Sequence, residues 1–150
     1  MNAKRFITLA ISVLLVSCTT MPQTPIQLEI EASKKLNEDV VYSSLPVRIK
    51  IYQLNDATRF NEATFRQLWK SDISILGSTL LEKKELTINP GTKQIIRMQR
   101  KSRAEYIAAV GVFRHHDHNQ WKSIKPLPGQ LNTLLKKVTV TANHNQVEIQ

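Results

Sequence analysis

The stretch that decides the fold is Pro46-Val-Arg-Ile-Lys-Ile-Tyr-Gln-Leu54, in which apolar and polar residues alternate. Val47, Ile49 and Ile51 fall on one face of an extended chain, and two basic residues fall on the other. This period of two is typical of a β-strand that has one buried face. The stretch therefore predicts a strand whose apolar side packs on a hydrophobic core.

Strand-like segments continue on both sides of this stretch, and turn signals separate them. They are residues 26–30, 85–89, 94–98, 106–113, 121–126, 138–143 and 146–149. The segment 106–113 is a largely apolar run, which predicts a central strand buried on both faces. About eight short strands with this spacing predict an all-β fold, a two-layer β-sandwich.

Within residues 60–81, apolar residues recur at spacings of three and four, which predicts a helical insertion near this segment. One stripe of the insertion is apolar and largely aromatic: Phe60, Phe65, Leu68 and Trp69. Such a stripe could form a partner-binding face, but its helical spacing favours packing in the core.

A short positive start and an apolar run precede the only cysteine of the chain. Lys4 and Arg5 are followed by a mostly apolar segment at residues 6–16, and Cys18 comes shortly after it. The run is shorter than the about 20 residues that a membrane-spanning helix needs. It therefore predicts a secretory signal peptide over residues 1–17.

The sequence around Cys18 resembles a bacterial lipobox, in which the thiol receives a diacylglycerol and the chain is cut just before it. A lone thiol in an exported chain has no disulfide partner within the chain, and lipidation accounts for it. The resemblance implies a lipidated tether over residues 18–25, anchored in a lipid bilayer, and a β-sandwich domain over residues 26–150. The alternative is an ordinary signal peptide with an incidental cysteine.

The formal net charge of +9 narrows the class of partner. Such a balance can indicate nucleic acid, anionic lipid or an acidic protein. Export argues against nucleic acid, and the basic residues are scattered along the chain. The sequence contains no Gly-x-Ser-x-Gly, His-Glu-x-x-His or glycine-rich phosphate loop. We therefore predict no enzyme activity, no catalytic residue, no cofactor and no small-molecule substrate.

The segment His115-His116-Asp117-His118 is the one cluster that suggests a metal site. Imidazole and carboxylate groups bind zinc and copper. A structural zinc site usually has four protein ligands, and no second cluster accompanies this one. We therefore predict a solvated hairpin tip without metal, and a metal site is the alternative.

Three parts of the chain form an ordered set. The first is the strand at residues 46–54 with Phe60, Leu68 and Asp72, the second is Pro90-Gly91, and the third is Tyr106-Ile-Ala-Ala-Val-Gly-Val-Phe-Arg114 with Trp121. Together with the lipobox, this set resembles the TssJ family, the outer-membrane lipoproteins of the type VI secretion system. The resemblance covers nearly all of the chain after the signal peptide.

This resemblance implies a transthyretin-like β-sandwich with added helical elements. It also implies a protein that is lipid-anchored in the outer membrane, faces the periplasm and binds the periplasmic carboxy-terminal region of TssM, a large inner-membrane protein. Thr19 occupies a position where lipoproteins retained in the inner membrane often carry Asp, so it resembles the outer-membrane pattern. The alternative function is a free periplasm-facing lipoprotein that binds a ligand or inhibits a cell-wall enzyme.

The connection at residues 31–45 is the predicted partner-binding site. It is longer than most connections in a compact domain, and such loops are often functional. The resemblance implies that the loop between the first two strands contacts TssM, and Leu36-Asn37 resembles the family's Leu-Asn. The predicted contact residues are Leu36, Asn37, Glu38, Asp39, Val40, Val41 and Tyr42. We expect the apolar ones to be exposed, so that replacing Leu36 and Tyr42 by alanine weakens binding and leaves the melting temperature nearly unchanged.

Overall fold

A computed structural model describes residues 25–38, 41, 43–116, 120–128 and 137–150. The strands in these residues are β1 (Pro25–Ala32), β2 (Val47–Leu54), β3 (Leu80–Ile88), β4 (Lys93–Gln99), β5 (Tyr106–Val112), β6 (Lys122–Pro126), β7 (Val138–Asn143) and β8 (Gln146–Ile149). The helices are α1 (Thr58–Glu62), α2 (Phe65–Lys70) and α3 (Asp72–Leu76), followed by a 3₁₀ turn at Gly77–Thr79.

The strands form two four-stranded sheets, in the orders β4-β1-β7-β8 and β3-β2-β5-β6. Neighbouring strands are antiparallel except β1 and β7, which run parallel. The two sheets enclose one hydrophobic core between them. The predicted two-layer, all-β sandwich is confirmed.

The alternating pattern of β2 supplies one side of this core. Ile49 and Ile51 are fully buried and lie opposite Gly111 and Ala109 of β5, so these residues face the same side of the sheet. The other sheet contributes alternating residues of β1 to the same cluster: Ile26, Leu28 and Ile30.

The second face of β2 is buried as well, which the alternation did not predict. Lys50 and Tyr52 are 3% and 0% exposed. The helices that follow β2 cover this face, because Lys50 bonds to α2 and α3 and Tyr52 packs edge-on against Phe60 of α1 with ring centroids 6.1 Å apart. Strand β5 is buried along most of its length, as its apolar run predicted.

The helical insertion consists of separate short helices and ends earlier than the spacing indicated. Thr64 begins α2 as a new helix, because its side chain accepts a hydrogen bond from the Gln67 backbone and the Gln67 side chain accepts one from the Thr64 backbone. Leu80 and Leu81 begin β3 instead of extending the insertion, so this strand is longer than predicted. No helix in the described residues is long and apolar enough to cross a membrane.

Strand β1 runs between two opposite ends of the sandwich. At the Pro25 end, Pro25 lies opposite Gln99, and the Gln53 side chain donates a hydrogen bond to the Gln99 carbonyl oxygen. At the Asn37 end, the side-chain oxygen of Asn37 accepts a hydrogen bond from the Arg114 backbone N–H. At about 3.3 Å per residue, β1 places these ends roughly 23 Å apart.

Candidate partner-binding site

An open groove with a volume of about 470 Å³ lies at the Asn37 end, where the β1–β2 connection, helix α2 and the segment after β5 meet. We call it the aromatic groove. Its lining residues are mainly apolar or aromatic: Asn37, Leu45, Pro46, Phe65, Trp69, Val112, Phe113, Arg114 and His116. Ligand sites typically occupy about 300–1,000 Å³, so the groove is large enough to receive side chains of a partner.

Phe65, the first residue of α2, is the centre of an aromatic cluster in the groove. Its ring stacks on His116 with centroids 3.7 Å apart and meets Trp121 edge-on at 5.2 Å. Trp69, one turn further along α2, lies 5.9 Å from Phe65 and is 43% exposed. The cluster joins α2 to the segment after β5, so the groove has walls from distant parts of the chain.

Lys50 of β2 fixes the helix that forms one wall of the groove. Its Nζ donates hydrogen bonds to the carbonyl oxygens of Leu68 and Trp69 in α2, at 2.9 and 2.7 Å. The same atom bonds to Oδ2 of Asp72 in α3 at 3.1 Å. A cation at a helix carboxy terminus is favoured by the helix dipole. The buried ammonium therefore holds the α2–α3 junction, and with it Trp69, on the sheet.

Asp72 supplies the opposite charge of this anchor. Its Oδ2 accepts a hydrogen bond from the Tyr52 hydroxyl at 2.8 Å and pairs with Lys83 Nζ at 2.7 Å. Burial alone would raise the pKa of Asp72, but hydrogen bonds from Lys83, Tyr52 and Lys50 together outweigh it and leave the pKa below its ordinary value. Burial and the hydrogen bond to Asp72 raise the pKa of Tyr52. The carboxylate is therefore charged, and the tyrosine neutral, at neutral pH.

Lys122 of β6 anchors the first helix in the same manner. Its Nζ donates hydrogen bonds to the carbonyl oxygens of Phe60, Asn61 and Ala63, at 3.1, 2.7 and 2.9 Å. These carbonyls lie at the carboxy end of α1, where a helix leaves acceptors unsatisfied. Burial lowers the pKa of Lys122. Two lysines, from the strands on either side of β5, thus hold the helical insertion in place.

The first two residues of the predicted contact set have structural roles. Leu36 is fully buried in the core, so the expectation that it is exposed was wrong. Asn37 is 5% exposed and has a φ of 51°, a conformation that Asn adopts more readily than most residues. Its backbone N–H donates to the His144 carbonyl oxygen at 2.6 Å. We therefore correct the expectation for Leu36→Ala, which removes a buried side chain and destabilises the fold.

The remaining predicted site residues divide into two groups. Glu38 Oε2 lies 3.8 Å from Nε2 of the His144 ring, and Val41 is 79% exposed in the connection that follows β1. The others lie outside the described residues, and their roles stay predictions: Cys18, Asp39, Val40 and Tyr42.

The histidine tip contributes to the groove. His116 stacks on Phe65, whereas Asp117 and His118 lie outside the described residues. Within the described part of the chain, no three His, Cys, Asp or Glu side chains are grouped closely enough to hold a metal ion.

Sequence reasoning missed the groove and its anchors. Phe60 and Leu68 are buried as the helical stripe predicted, but Trp69 of the same stripe is exposed. The burial of Lys50 could have been expected, because a helical insertion that directly follows β2 can pack on the polar face of that strand. Gly111 gives a second signal: a Cβ there would overlap the Phe113 ring, so the glycine makes room for an aromatic residue of the groove.

These features define the class of the protein as a small β-sandwich with a helical insertion and an open surface groove. In sequence, residues 24–150 match the family described as Type VI secretion lipoprotein (VasD, EvfM, TssJ). The chain therefore belongs to the type VI secretion lipoprotein family, and the resemblance to the TssJ family is confirmed. No curated protein matches the chain in sequence.

Solved structures share the fold. Serratia marcescens Lip, a membrane bound component of the Type VI Secretion System, has a TM-score of 0.74 at 20% identity, over 84% of this chain and 95% of that chain. The lipoprotein TssJ1 from Pseudomonas aeruginosa has a TM-score of 0.72 at 24% identity, over 86% and 95%. A chain of the structure described as the TssM C-terminal domain (869–1107) from EAEC has a TM-score of 0.70 at 19% identity, over 84% and 97%. These likenesses show the shared sandwich.

Proposed function

We propose that this protein is the outer-membrane lipoprotein of a type VI secretion system. Acylated Cys18 holds the chain in the lipid bilayer, and the sandwich binds the periplasmic carboxy-terminal region of TssM. The protein thereby tethers the secretion apparatus to the outer membrane from the periplasmic side.

The separation of the two ends of β1 carries this proposal. The chain enters the sandwich at Pro25, shortly after Cys18 in sequence, whereas the aromatic groove lies at the Asn37 end. These ends are roughly 23 Å apart. A lipid anchor at the Pro25 end therefore leaves the groove accessible, so membrane and partner can be bound at the same time.

Two further observations support a partner related to TssM. The chain belongs to the type VI secretion lipoprotein family. Its fold is shared by a chain of the structure described as the TssM C-terminal domain. The role is structural, since the buried charged groups beside the groove serve to hold helices: Lys50, Asp72 and Lys122.

A binding titration tests the proposal. The acylated protein, purified from membranes in detergent, is immobilised and titrated with the periplasmic carboxy-terminal region of TssM. We expect saturable binding, and we expect the Cys18→Ser chain to bind equally well, because Cys18 precedes the sandwich. An unrelated outer-membrane lipoprotein with the same acyl anchor is the control. Absence of saturable binding, or equal binding by the control, would contradict the proposal and favour a free lipoprotein.

A further inference from the structure

We propose that β4 has an open edge, at Lys93 and Ile95, which accepts an extended segment of a partner protein as an added strand. The segment that fits this edge carries an apolar residue and an acidic residue two positions away from it. The open edge is separate from the aromatic groove, whose lining includes no residue of β4. The inference goes beyond the proposed function, because neither the lipid anchor nor the groove uses this strand.

The hydrogen bonds between β1 and β4 show which backbone groups of β4 point away from the sheet. The N–H of Ala32 donates to the carbonyl oxygen of Thr92 at 2.9 Å, just before β4 begins. In an antiparallel pair such bonds recur at every second residue, and the residues between them direct their backbone groups to the other side. The residues whose backbone points outward are therefore Lys93, Ile95, Arg97 and Gln99.

Side chains of the other sheet cover one half of this outward backbone. Lys84 Nζ donates a hydrogen bond to the Arg97 carbonyl oxygen, and Gln53 Nε2 donates one to the Gln99 carbonyl oxygen at 2.9 Å. Both bonds agree with the outward direction that the register gives. Polar side chains placed in this way are a common protection of an edge strand against unwanted pairing.

The other half of the outward backbone is open. The outward N–H and carbonyl groups of Lys93 and Ile95 have no hydrogen-bond partner among the described residues, because β4 pairs only with β1. Unpaired backbone groups on an edge strand are the template on which an extended peptide adds to a sheet.

The opposite edge of the same sheet is closed, which makes the open edge a specific feature of β4. Strand β8 forms that edge. The N–H of Val147 donates to the Gln120 carbonyl oxygen at 2.8 Å, and the N–H of Ile149 donates to Ser123 Oγ at 3.1 Å. The fold thus bonds these donors of one edge internally and leaves those of Lys93 and Ile95 to a partner or to water.

Ile95 provides an apolar contact at the open edge. Met98 lies in the core, and side chains alternate along a strand, so Ile95 lies on the outer face of the sheet. It is 55% exposed there. An added strand would place a side chain next to it, and apolar cross-strand pairs stabilise a sheet.

The charges beside Ile95 favour an acidic residue at one position of the added strand. Arg97 lies on the same face as Ile95, is exposed, and forms no ion pair with a described residue. Lys93, on the other side of Ile95, is already paired with Glu29 and with Glu31, so it adds little attraction for a partner. Opposite charges in a cross-strand pair are favourable, and an acidic residue is therefore favoured opposite Arg97.

A second copy of this chain fits the open edge less well. Antiparallel pairing of two β4 strands around Ile95 would place Arg97 of one copy opposite Lys93 of the other. Like charges that lie directly opposite one another destabilise a sheet. The occupant is therefore a strand of another sequence.

The test uses a cyclic β-hairpin peptide, because a preorganised strand loses less entropy on binding. Its outer strand carries a valine to pair with Ile95 and a glutamate to pair with Arg97. The peptide is titrated into the isotopically labelled, acylated protein in detergent, and amide NMR signals report where it binds. The control is the same peptide with its outward amides N-methylated, which keeps every side chain and removes the main-chain donors.

We expect saturable binding with the largest amide shifts at Lys93 and Ile95, and clearly weaker binding of the N-methylated peptide. Ile95→Pro should weaken binding about tenfold, because proline removes an outward N–H and leaves the bonds to β1 in place. Thr87→Pro is the matched control on β3, since the Thr87 carbonyl oxygen also points outward, to the Gln94 side chain. This variant should stay within about twofold of the unmodified protein, because it changes the edge of the other sheet.

Two further variants keep the test decisive if proline disturbs the strand. Arg97→Glu should weaken binding of the glutamate peptide about tenfold, and a peptide with lysine in place of the glutamate should bind this variant more tightly than it binds the unmodified protein. Lys84→Ala frees the Arg97 carbonyl oxygen and should strengthen binding about twofold, because the added strand gains a main-chain bond. Weaker binding by Lys84→Ala would indicate attraction by charge alone and would contradict strand addition.

Three results would overturn the inference. The first is no saturable binding, or equal binding of the N-methylated peptide. The second is amide shifts at Phe65 and Trp69 instead of the open edge, which would place the peptide in the aromatic groove. The third is a dimer in sedimentation equilibrium that Ile95→Pro disrupts, which would make a second copy the occupant. None of these results changes the outcome of the TssM titration, so the proposed function is tested separately.

Discussion

The Pro25 end and the Asn37 end of the sandwich differ in the contacts that their side chains make within the domain. At the Pro25 end, buried polar side chains bond to nearby backbone: Gln53 to the Gln99 carbonyl oxygen and Arg100 to the Ala104 carbonyl oxygen. At the Asn37 end, large side chains such as Trp69 stay partly exposed around an open groove. Exposed apolar surface gains from being covered, whereas polar groups that already bond to one another offer a partner little.

The helical insertion connects these two ends. It leaves the sheet after Leu54 at the Pro25 end, reaches the aromatic groove at Phe65, and returns to Leu80, which lies opposite Leu54. Lys50 and Lys122 hold it along this path. Charged residues buried in the sheet thus help to determine the geometry of the surface at the Asn37 end.

The largest effect is expected at the Pro25 end, from Cys18→Ser. Acyl chains contribute about 0.8 kcal/mol per buried CH₂, so their loss should move the protein from the membrane fraction to the soluble fraction. Fractionation followed by mass spectrometry of the mature amino terminus measures this, with Val41→Ala as a variant that stays in the membrane. An unmodified Cys18 in the wild-type protein would show that the Pro25 end is held in another way.

Lys50→Met tests whether the buried anchor supports the groove. Removing one partner of a buried ion pair typically costs about 3–5 kcal/mol, and TssM binding should weaken because α2 loses its attachment. Urea unfolding measures the stability. Arg48→Met on the same strand is the matched control, since its pair with Glu85 is exposed and such pairs contribute about 0–1 kcal/mol. Equal losses in both variants would contradict the anchor role.

Leu36→Ala tests whether Leu36, a member of the predicted contact set, stabilises the fold. Leu36 is fully buried, so we expect a loss of about 2–5 kcal/mol in the free energy of unfolding. Val41→Ala, at a position 79% exposed, should change stability by less than about 0.5 kcal/mol. If the Leu36→Ala protein is as stable as the Val41→Ala protein, Leu36 does not stabilise the core and is again a candidate contact residue.

Two substitutions of Asn37 should have smaller effects on stability and test how this residue supports the Asn37 end. Asn37→Ala loses the hydrogen bond to the Arg114 backbone and strains a residue at φ 51°, and we expect a cost of about 1–3 kcal/mol. Asn37→Gly loses the hydrogen bond but tolerates this φ, so it should be the more stable of the two. Thermal melts rank them, and the reverse order would show that backbone strain is unimportant here.

The smallest expected effect is a change in acid sensitivity at Asp72. A carboxyl whose pKa is lower in the folded state stabilises the fold above its unfolded pKa, and this contribution is lost as the pH falls through the folded value. For Asp72 the loss should begin near its ordinary pKa of 3.8 and continue below it. Unfolding measured from pH 6 to pH 2 should show a shallower dependence for Asp72→Asn. Parallel curves would mean that the carboxyl is not stabilised by its partners.

Much of the sandwich could be predicted because the burial of a strand is reflected in the pattern of apolar and polar residues along that strand. The period of two in β2 and the apolar run in β5 each follow from residues that are neighbours in sequence. The prediction failed for the second face of β2, where Lys50 is buried. Its partners lie in α2 and α3, and no local pattern shows which helix will cover a strand.

The candidate site was predicted only in outline. The β1–β2 connection does border the groove, but Leu36 belongs to the core and Asn37 braces the segment after β5. Trp69 was assigned to the core because helical spacing identifies an apolar face of a helix. The spacing does not show how much of that face packs against the core.

The sequence by itself determined the strands, their alternating core, the family and the position of the only cysteine. These are encoded by residue type and spacing over short distances. The tertiary structure alone decided that Lys50 and Lys122 are buried as helix anchors and that Phe65, Arg114 and Leu45 line one groove. The anchors and the groove are formed by segments that are distant in sequence. A lysine is buried only when such a segment packs over it, so the sequence around the lysine does not show its burial.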